Sequence, residues 1–364
     1  MKIVYLIHSL HTAGGMENIL TLKANWLCAR PGWEVAVVTS HLRGRKPFFE
    51  LDPRVKLVDA GVNDRIHGGK YRRRLQVILD ELRPDVTVSL CGSDVFQLLK
   101  CSGTGARVAE YHFLHDKFYR KYPKFRAYAA FRTRRLERAL GRYDAVVALS
   151  DYDLTYFSER LARPERCFRI GNTLSEFPSS VSELSEKRFI CVGRLSPEKN
   201  FADAVRVWKL VAERHPDWRL DIYGEGRERP ALEALIGSLG LGGCVSLKGN
   251  CAAVMAEYHN CSGLLVTSRY EGFGLMALEA AASGVPVVAY GCPGGLTEIV
   301  REGENGFVVP GGGGGAAAGR VCGLIEDEAV RCALGRSAAA LAQRYSPETI
   351  MTQWVELFEE LVSR

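Results

Sequence analysis

Short β-branched runs alternate with amphipathic stretches along almost the whole chain, and this rhythm restricts the fold more than any other feature. In the first part the runs are Lys2 to His8, Glu34 to Ser40, Lys56 to Ala60, Asp85 to Leu90, Arg107 to His112 and Ala145 to Ser150. Strands separated by helical patterns form right-handed βαβ units, and hence a parallel sheet. A polar stretch, Ser175 to Lys187, interrupts the pattern. It restarts with Phe189 to Val192, Arg219 to Tyr223, Cys244 to Leu247, Gly263 to Thr267, Val285 to Ala289 and Gly306 to Val309. A length of 364 residues also exceeds one ordinary core. The expectation is an α/β chain of two Rossmann-like parallel-sheet domains, residues 1–178 and 179–345, facing across a cleft. The amphipathic helix Pro347 to Leu361 is expected to pack back on the first domain. Pro310 and the glycines Gly311 to Gly315 read as a flexible loop.

Composition narrows the class. Apolar residues make up 47% and charged residues 25%, the balance of a folded globular chain rather than a disordered one. The 11 cysteines are odd in number and never spaced as Cys-x-x-Cys, which argues against a disulfide scaffold, a zinc ribbon or a thioredoxin-like site and for a reducing compartment. The first apolar run, Ile3 to Ile7, is too short for a signal-peptide core, and no stretch of about 18 apolar residues occurs to span a membrane. A cytoplasmic protein is expected.

Charge is distributed unevenly. Residues 1–178 hold 30 Lys and Arg against 19 Asp and Glu, or +11, whereas the remainder holds 18 against 23, or −5. Between Lys117 and Arg142 lie ten basic residues opposed only by Glu137, interleaved with Phe118, Tyr119, Tyr122, Phe125, Tyr128 and Phe131. Cations mixed with aromatics suit an amphipathic surface lying on anionic lipid headgroups. Nucleic acid is the rival partner for such a patch, and a solvated helix face with its aromatics in the core is the plain alternative. Lys70, Arg72, Arg73 and Arg74 add to the same half.

In open α/β sheets ligands bind outside the carboxyl ends of the strands, so the chemistry is sought in strand-end loops. The stretch from Ser268 to Ala289 carries the most information. Glu271 follows a strand, Gly272 and Gly274 open a turn, and Leu275 to Ala282 reads as a helix with Glu279 about one turn inside it. Free amides at such a helix start suit a phosphate. A carboxylate on either side of an anion site matches a ligand with hydroxyls at both ends and phosphates in the middle, which is the layout of a nucleotide sugar. A surface glutamate pair flanking a glycine turn is the plain alternative. Arg194 and Lys199, in VGRLSPEKN, follow the first strand of the second half and could neutralise a diphosphate, although singly such residues are also common on surfaces. Asp151 and Asp153 form an Asp-x-Asp string that helix capping explains better than metal binding.

With these residues in view, the sequence resembles family 4 of the retaining, nucleotide-sugar-dependent glycosyltransferases of GT-B architecture, of the bacterial surface-polysaccharide type. The resemblance covers nearly the whole chain and rests on the order and spacing of HTAGGMEN, RIGNTLSEF, VGRLSPEKN, IYGEGRERP, SLKGN, the Glu271 and Glu279 stretch, GCPGGLTEIV and ENGFVVP. It implies that Glu271 holds hydroxyls of the donor sugar and Glu279 the ribose, with Arg194 and Lys199 on the diphosphate. Amides of Gly272, Phe273, Gly274 and Leu275 would bind sugar and phosphates, and the base would lie near Lys248, Gly249 and Asn250, with Gly224 close by. Gly14 and Gly15, at the start of the first helix, match the family's glycine-rich loop beside donor and acceptor; a plain glycine turn is the alternative. His112 matches a histidine that approaches the donor sugar, with His115, Glu110 or Asp116 as substitutes. His8 and His11 are read as structural or acceptor-side.

The resemblance further implies transfer with retention at the anomeric carbon by front-face attack, without an obligatory metal or other cofactor. A hexose or N-acetylhexosamine would move from a UDP-linked donor to a polyprenyl-linked or oligosaccharide acceptor at the inner face of the plasma membrane. The Lys117 to Arg142 face then favours lipid over nucleic acid. An epimerase or synthase of the same architecture, or a scaffold without catalysis, are the competing readings. A nicotinamide dehydrogenase fits less well, since neither half opens with Gly-x-Gly-x-x-Gly between strand and helix.

Overall fold

The computed structural model describes every residue except Ala13, which falls in the glycine-rich string, Glu176, which falls in RIGNTLSEF, and Ala252. The chain divides into two compact units, Met1–Ser175 with Pro347–Arg364, and Glu176–Ser346. The strands are β1 (Lys2–Ile7), β2 (Glu34–Thr39), β3 (Lys56–Asp59), β4 (Val86–Ser89), β5 (Ala106–Tyr111), β6 (Ala145–Ala148) and β7 (Cys167–Arg169) in the first unit. In the second they are β8 (Arg188–Val192), β9 (Arg219–Tyr223), β10 (Val245–Gly249), β11 (Gly263–Val266), β12 (Val287–Gly291) and β13 (Gly306–Pro310).

Both sheets are wholly parallel, ordered β3-β2-β1-β4-β5-β6-β7 and β10-β9-β8-β11-β12-β13. A parallel sheet needs helices on both faces, and its inner strands are accordingly near-continuous apolar runs. Ile3, Leu6, Val86, Val88 and Val108 are buried in one core, and Phe189, Ile190, Leu220, Ile222 and Leu264 in the other. In each sheet the strand order reverses once, between β1 and β4 and between β8 and β11, and the crevice at such a reversal is where open α/β sheets hold their ligands.

The helix Pro347–Ser363 belongs to the first unit. Ile350, Met351, Trp354, Leu357, Phe358 and Leu361 recur at helical spacing and are buried. Phe358 lies 6.4 Å from the ring of Trp33, beyond the end of the helix Gly15–Cys28. In the second unit the helices Phe201–Arg214 and Gly314–Glu326 pack on each other, and Glu328–Ala342 packs on Leu275–Ala282. A Cβ on Gly335 would meet the Gly284 carbonyl oxygen at 2.3 Å, so only glycine permits this approach.

Two sequence expectations need correction. The glycine run is not loop throughout: Pro310 ends β13, and Gly314 and Gly315 begin a helix that continues through Ala316 to Ala318. Alanine and the helix's buried face, Ala317, Val321 and Leu324, outweigh the low helix propensity of two terminal glycines. The short edge strand β7, only half-buried, is an addition to the strands expected.

Because Trp354 is 1% exposed and fully enclosed, Trp354→Ala should cost about 3–5 kcal/mol of stability. Urea unfolding followed by intrinsic fluorescence and circular dichroism will measure it.

Candidate active site

In the second unit the loops after β8 and β11 meet across the reversal of strand order. Lys199 Nζ donates to Glu271 Oε1 at 2.7 Å, and Ser268 Oγ donates to the same oxygen at 2.5 Å. Glu271 is buried, Lys199 half-buried, and Arg194 exposed beside them in the loop that leaves β8. The Glu271 amide donates to the Pro293 carbonyl at 3.1 Å, which ties this loop to the glycine turn after β12. Two oxygens of side chains and one cation are thus held at the edge of a sheet without needing a ligand to gather them.

The next turn is shaped by glycine. Gly274 has φ 98° and caps the helix Leu275–Ala282. A Cβ on Gly295 would sit 3.1 Å from the Phe273 Cα, so the GCPGG turn lies directly against Gly272 and Phe273. The amides of Phe273, Gly274 and Leu275 have no acceptor among the described residues, which leaves a patch of positive backbone dipole beside Lys199 and Arg194.

Glu279 lies one turn into that helix. Tyr258 OH reaches its Oε2 at 3.0 Å and the Met276 carbonyl at 3.1 Å. Desolvation raises the Glu279 carboxyl above the usual range, against the opposing pull of the Tyr258 hydroxyl and Lys199. On the other side of β8 the strand ends are closed by glycine. Gly224, at φ 137°, has space for no side chain, since a Cβ would meet the Gly193 carbonyl oxygen at 1.9 Å. Its amide donates to the Gly249 carbonyl at 2.7 Å, and Lys248 and Asn250 flank Gly249 as exposed residues. The structure therefore places Arg194, Lys199, Gly224, Gly249, Asn250, Glu271 to Leu275 and Glu279 along one carboxyl edge.

In the first unit His112 immediately follows β5, and its Nε2 lies 2.9 Å from Glu110 Oε1. Neither atom has a well-aligned hydrogen bond, so this contact is electrostatic. The other Glu110 oxygen accepts from Lys23 Nζ, from the helix Gly15–Cys28. Both partners of this pair are fully buried. Lys23 Nζ also lies 4.2 Å from the centre of the Trp354 ring and 5.4 Å from that of Tyr5. Burial pushes the Lys23 ammonium down, opposed by Glu110. For Glu110, burial alone would raise the carboxyl, but Lys23 and His112 overcome it and hold it down to about 2.

Gly14 precedes the same helix. Glu17 folds back over it, accepting from Thr12 Oγ1 at 2.6 Å, and a Cβ on Gly14 would collide with the Glu17 carboxylate at 2.1 Å. His115 and Asp116 lie apart from Glu110: His115 Nδ1 pairs with Asp153 at 2.9 Å and Arg120 with Asp116 at 2.6 Å. Asp153 also receives the His115 amide, Ser150 rather than either aspartate caps the helix, and Asp151 lies 3.3 Å from Arg169, so the two aspartates of the Asp-x-Asp string have separate partners. Lys23, Ser268 and Tyr258 were not singled out from sequence. Ser268 stands three residues before Glu271, a spacing that could have flagged it, whereas nothing local marks Lys23 or Tyr258.

Comparison with known proteins bears on the family and the fold. Residues 13–174 match the model of Glycosyltransferase Family 4, and residues 173–340 that of Glycosyl transferases group 1. An uncharacterized glycosyltransferase of Haemophilus influenzae is 28% identical over 320 residues, 84% of this chain and 85% of that one. An exopolysaccharide phosphotransferase of Streptomyces coelicolor is 35% identical over 223 residues, 61% of this chain but 24% of that longer protein. Among solved structures, a variant of S. aureus TarM in complex with fondaparinux, α-GlcNAc-glycerol and UDP superposes with a TM-score of 0.81 at 16% identity, over 98% of this chain and 99% of that one. The chain belongs to the family 4 glycosyltransferases, with the two parallel-sheet domains of the GT-B fold.

Lys23→Met should destabilise the protein by about 3–5 kcal/mol at pH 7, because it strands a buried carboxylate. The folded Glu110 carboxyl, near 2, lies below its unfolded value of 4.5. The stability it contributes is therefore present above pH 4.5 and lost as the pH falls toward 2. Denaturant melts at pH 7 and pH 3 should show the gap between wild type and Lys23→Met closing in acid.

Proposed function

We propose that the chain transfers a hexose or N-acetylhexosamine, with retention, from a UDP-linked donor to a lipid-linked or oligosaccharide acceptor in surface-glycan assembly. The observation that carries the reading is the Lys199–Glu271 pair at the strand-order reversal of the second unit, with free amides and Glu279 one turn away. A diphosphate arriving there would draw Lys199 and Arg194 to itself and free Glu271 to accept from sugar hydroxyls. The raised Glu279 carboxyl, with Tyr258 occupying one oxygen, keeps its other oxygen for the ribose. Gly224 and Gly249, joined by the Gly224 amide, present backbone at the strand ends where a base would stack.

In front-face transfer the bond from the anomeric carbon to the diphosphate oxygen breaks as the acceptor oxygen approaches the same face, and the departing phosphate takes the acceptor's proton. The protein's task is then to hold the leaving charge, which Arg194, Lys199 and the helix start supply. His112, oriented by Glu110 and, through it, by Lys23, is assigned to the donor sugar. The binding of UDP by the TarM neighbour and the exopolysaccharide role in the name of the Streptomyces relative favour this donor and this class of product.

The acceptor is assigned to a membrane surface. Of the aromatic residues between Lys117 and Arg142, Phe118 is buried, while Phe131, 59% exposed, and Phe125 stand in solvent among Lys124, Arg126, Arg134 and Arg138. Arg132 and Arg135 instead cover the rings of Phe118 and Phe96, at 4.7 and 4.6 Å. Among the described residues no helix is long and apolar enough to cross a membrane, so contact would be through this face.

Two measurements test the reading. Calorimetry should show Glu279→Gln weakening UDP-sugar binding about tenfold, with a smaller change in kcat at saturating donor; unchanged affinity would remove the ribose assignment. Flotation with vesicles of neutral lipid, alone or with anionic lipid at about one part in three, should show anionic-lipid-dependent binding. That binding should fall severalfold in a Phe131→Ser, Arg134→Glu, Arg138→Glu variant.

A further inference from the structure

The first unit has a second cluster of polar side chains, distinct from Lys23, Glu110 and His112, and it sits at the reversal of strand order between β1 and β4. His8 follows β1, Ser40 follows β2, Ser93 follows β4, and Asp64 lies in the segment between β3 and the helix Gly68–Leu82. Asp64 is buried, and three donors converge on it. His8 Nδ1 lies 2.6 Å from its Oδ1, Ser40 Oγ donates to the same oxygen at 2.8 Å, and Ser93 Oγ donates to Oδ2. Burial alone would raise this carboxyl, but the hydrogen bonds from His8, Ser93 and Ser40 bring it down to about 2.

In the neutral ring, an ionised carboxylate at Nδ1 fixes the tautomer: Nδ1 carries the proton and Nε2 the lone pair. Ser40 Oγ also lies 2.9 Å from Nδ1, so every contact of the ring is on that side. Nε2 has no partner among the described residues and is not enclosed, and the side chain is 26% exposed. A buried ion held by three donors explains how the loops are tied together. It does not explain an open ring nitrogen with a fixed lone pair at the ligand-binding edge of the sheet.

We propose that His8, held by Asp64, accepts a hydrogen bond at Nε2 from a hydroxyl of the acceptor sugar, with Asp64 as the positioning residue. The chemistry of the pair selects the ligand. Nε2 is an acceptor, so the ligand group must donate, and the Asp64 charge behind the ring disfavours a phosphate. An uncharged sugar hydroxyl meets both conditions. Beside the ring, Ser9 Oγ and His11 Nδ1 are paired with each other. The assignment rests on the glycosyltransfer reading above.

Two substitutions separate this role from a structural one. An Asn side chain places its amide where Nδ1 lies and keeps the Asp64 contact but has nothing at Nε2; a Gln side chain reaches the Nε2 position. The experiment uses the full chain, labelled with 15N and saturated with UDP. Long-range proton–nitrogen spectra report the His8 tautomer, with the signal assigned by its loss in His8→Asn, while methyl and octyl glycosides of glucose, galactose and N-acetylglucosamine are added. The expected result is a wild-type ring protonated at Nδ1, a shift of Nε2 with at least one glycoside, and affinity for it reduced tenfold or more in His8→Asn but less in His8→Gln. A ring protonated at Nε2, an Nε2 signal unmoved by every glycoside, or an Asn variant that binds as well as wild type would overturn the proposal. UDP affinity in the same samples tests the donor reading separately: wild type that fails to bind UDP counts against that reading, whereas normal UDP binding with an unmoved His8 counts against the acceptor role alone.

Discussion

Every strand in both sheets runs in the same direction, and from this constraint the placement of the chemistry follows. Parallel strands must be joined by crossovers, the crossovers cover both faces, and the sheet interior is left mainly to apolar residues. Polar side chains such as Lys199 and Glu271 gather in the loops at the strand ends, and Glu279 one turn into the helix that follows. Because one edge collects all the carboxyl ends, residues as far apart in sequence as Lys199 and Glu271 arrive at one place without any special folding of the intervening chain. The reversal of strand order then opens a crevice in the row of loops, and in both units the charged pairs stand beside it.

Among the carboxylates withdrawn from water, Glu110, Asp64 and Glu279 are each managed differently. Glu110 has a full counter-ion, the Lys23 ammonium, itself covered by the Trp354 ring. Asp64 relies on two hydroxyls and an imidazole ring that converge on its oxygens. Glu279 has a phenol and a more distant cation, too little to offset its desolvation. The three differ in how fully the charge is matched, from the directly paired Glu110 to the least compensated Glu279. That ordering matches their proposed tasks: orienting another group, presenting a ring, and contacting a substrate directly.

Much of this could be read from the sequence, and the remainder was hidden for a definable reason. Twelve strands announce themselves as β-branched runs, whereas β7, three half-buried residues at an edge, has too little apolar content to show. Arg194, Lys199, Glu271 and Glu279, proposed for the donor, could be picked out together because they fall in short strings that follow strands in one half of the chain. Lys23 and Glu110 stand 87 residues apart, and His8 and Asp64 stand 56 apart. No local pattern couples them, since only the sheet order, with β4 between β1 and β5, gathers the strands, the helix Gly15–Cys28 and the segment after β3 into one unit. A lysine in an amphipathic helix reads as surface until the partner that neutralises it is known.

The return of the helix Pro347–Ser363 to the first unit has a consequence for synthesis. Residues 1–175 leave the ribosome first, yet the ring that shields Lys23 and the apolar face that covers Trp33 are translated after the entire second unit. The earlier-made half must wait, with part of its core uncovered, while the later-made half is completed. Order of manufacture and order of completion are therefore inverted in this chain, and during that interval the nascent protein presents an open apolar seat shaped for one helix of its own.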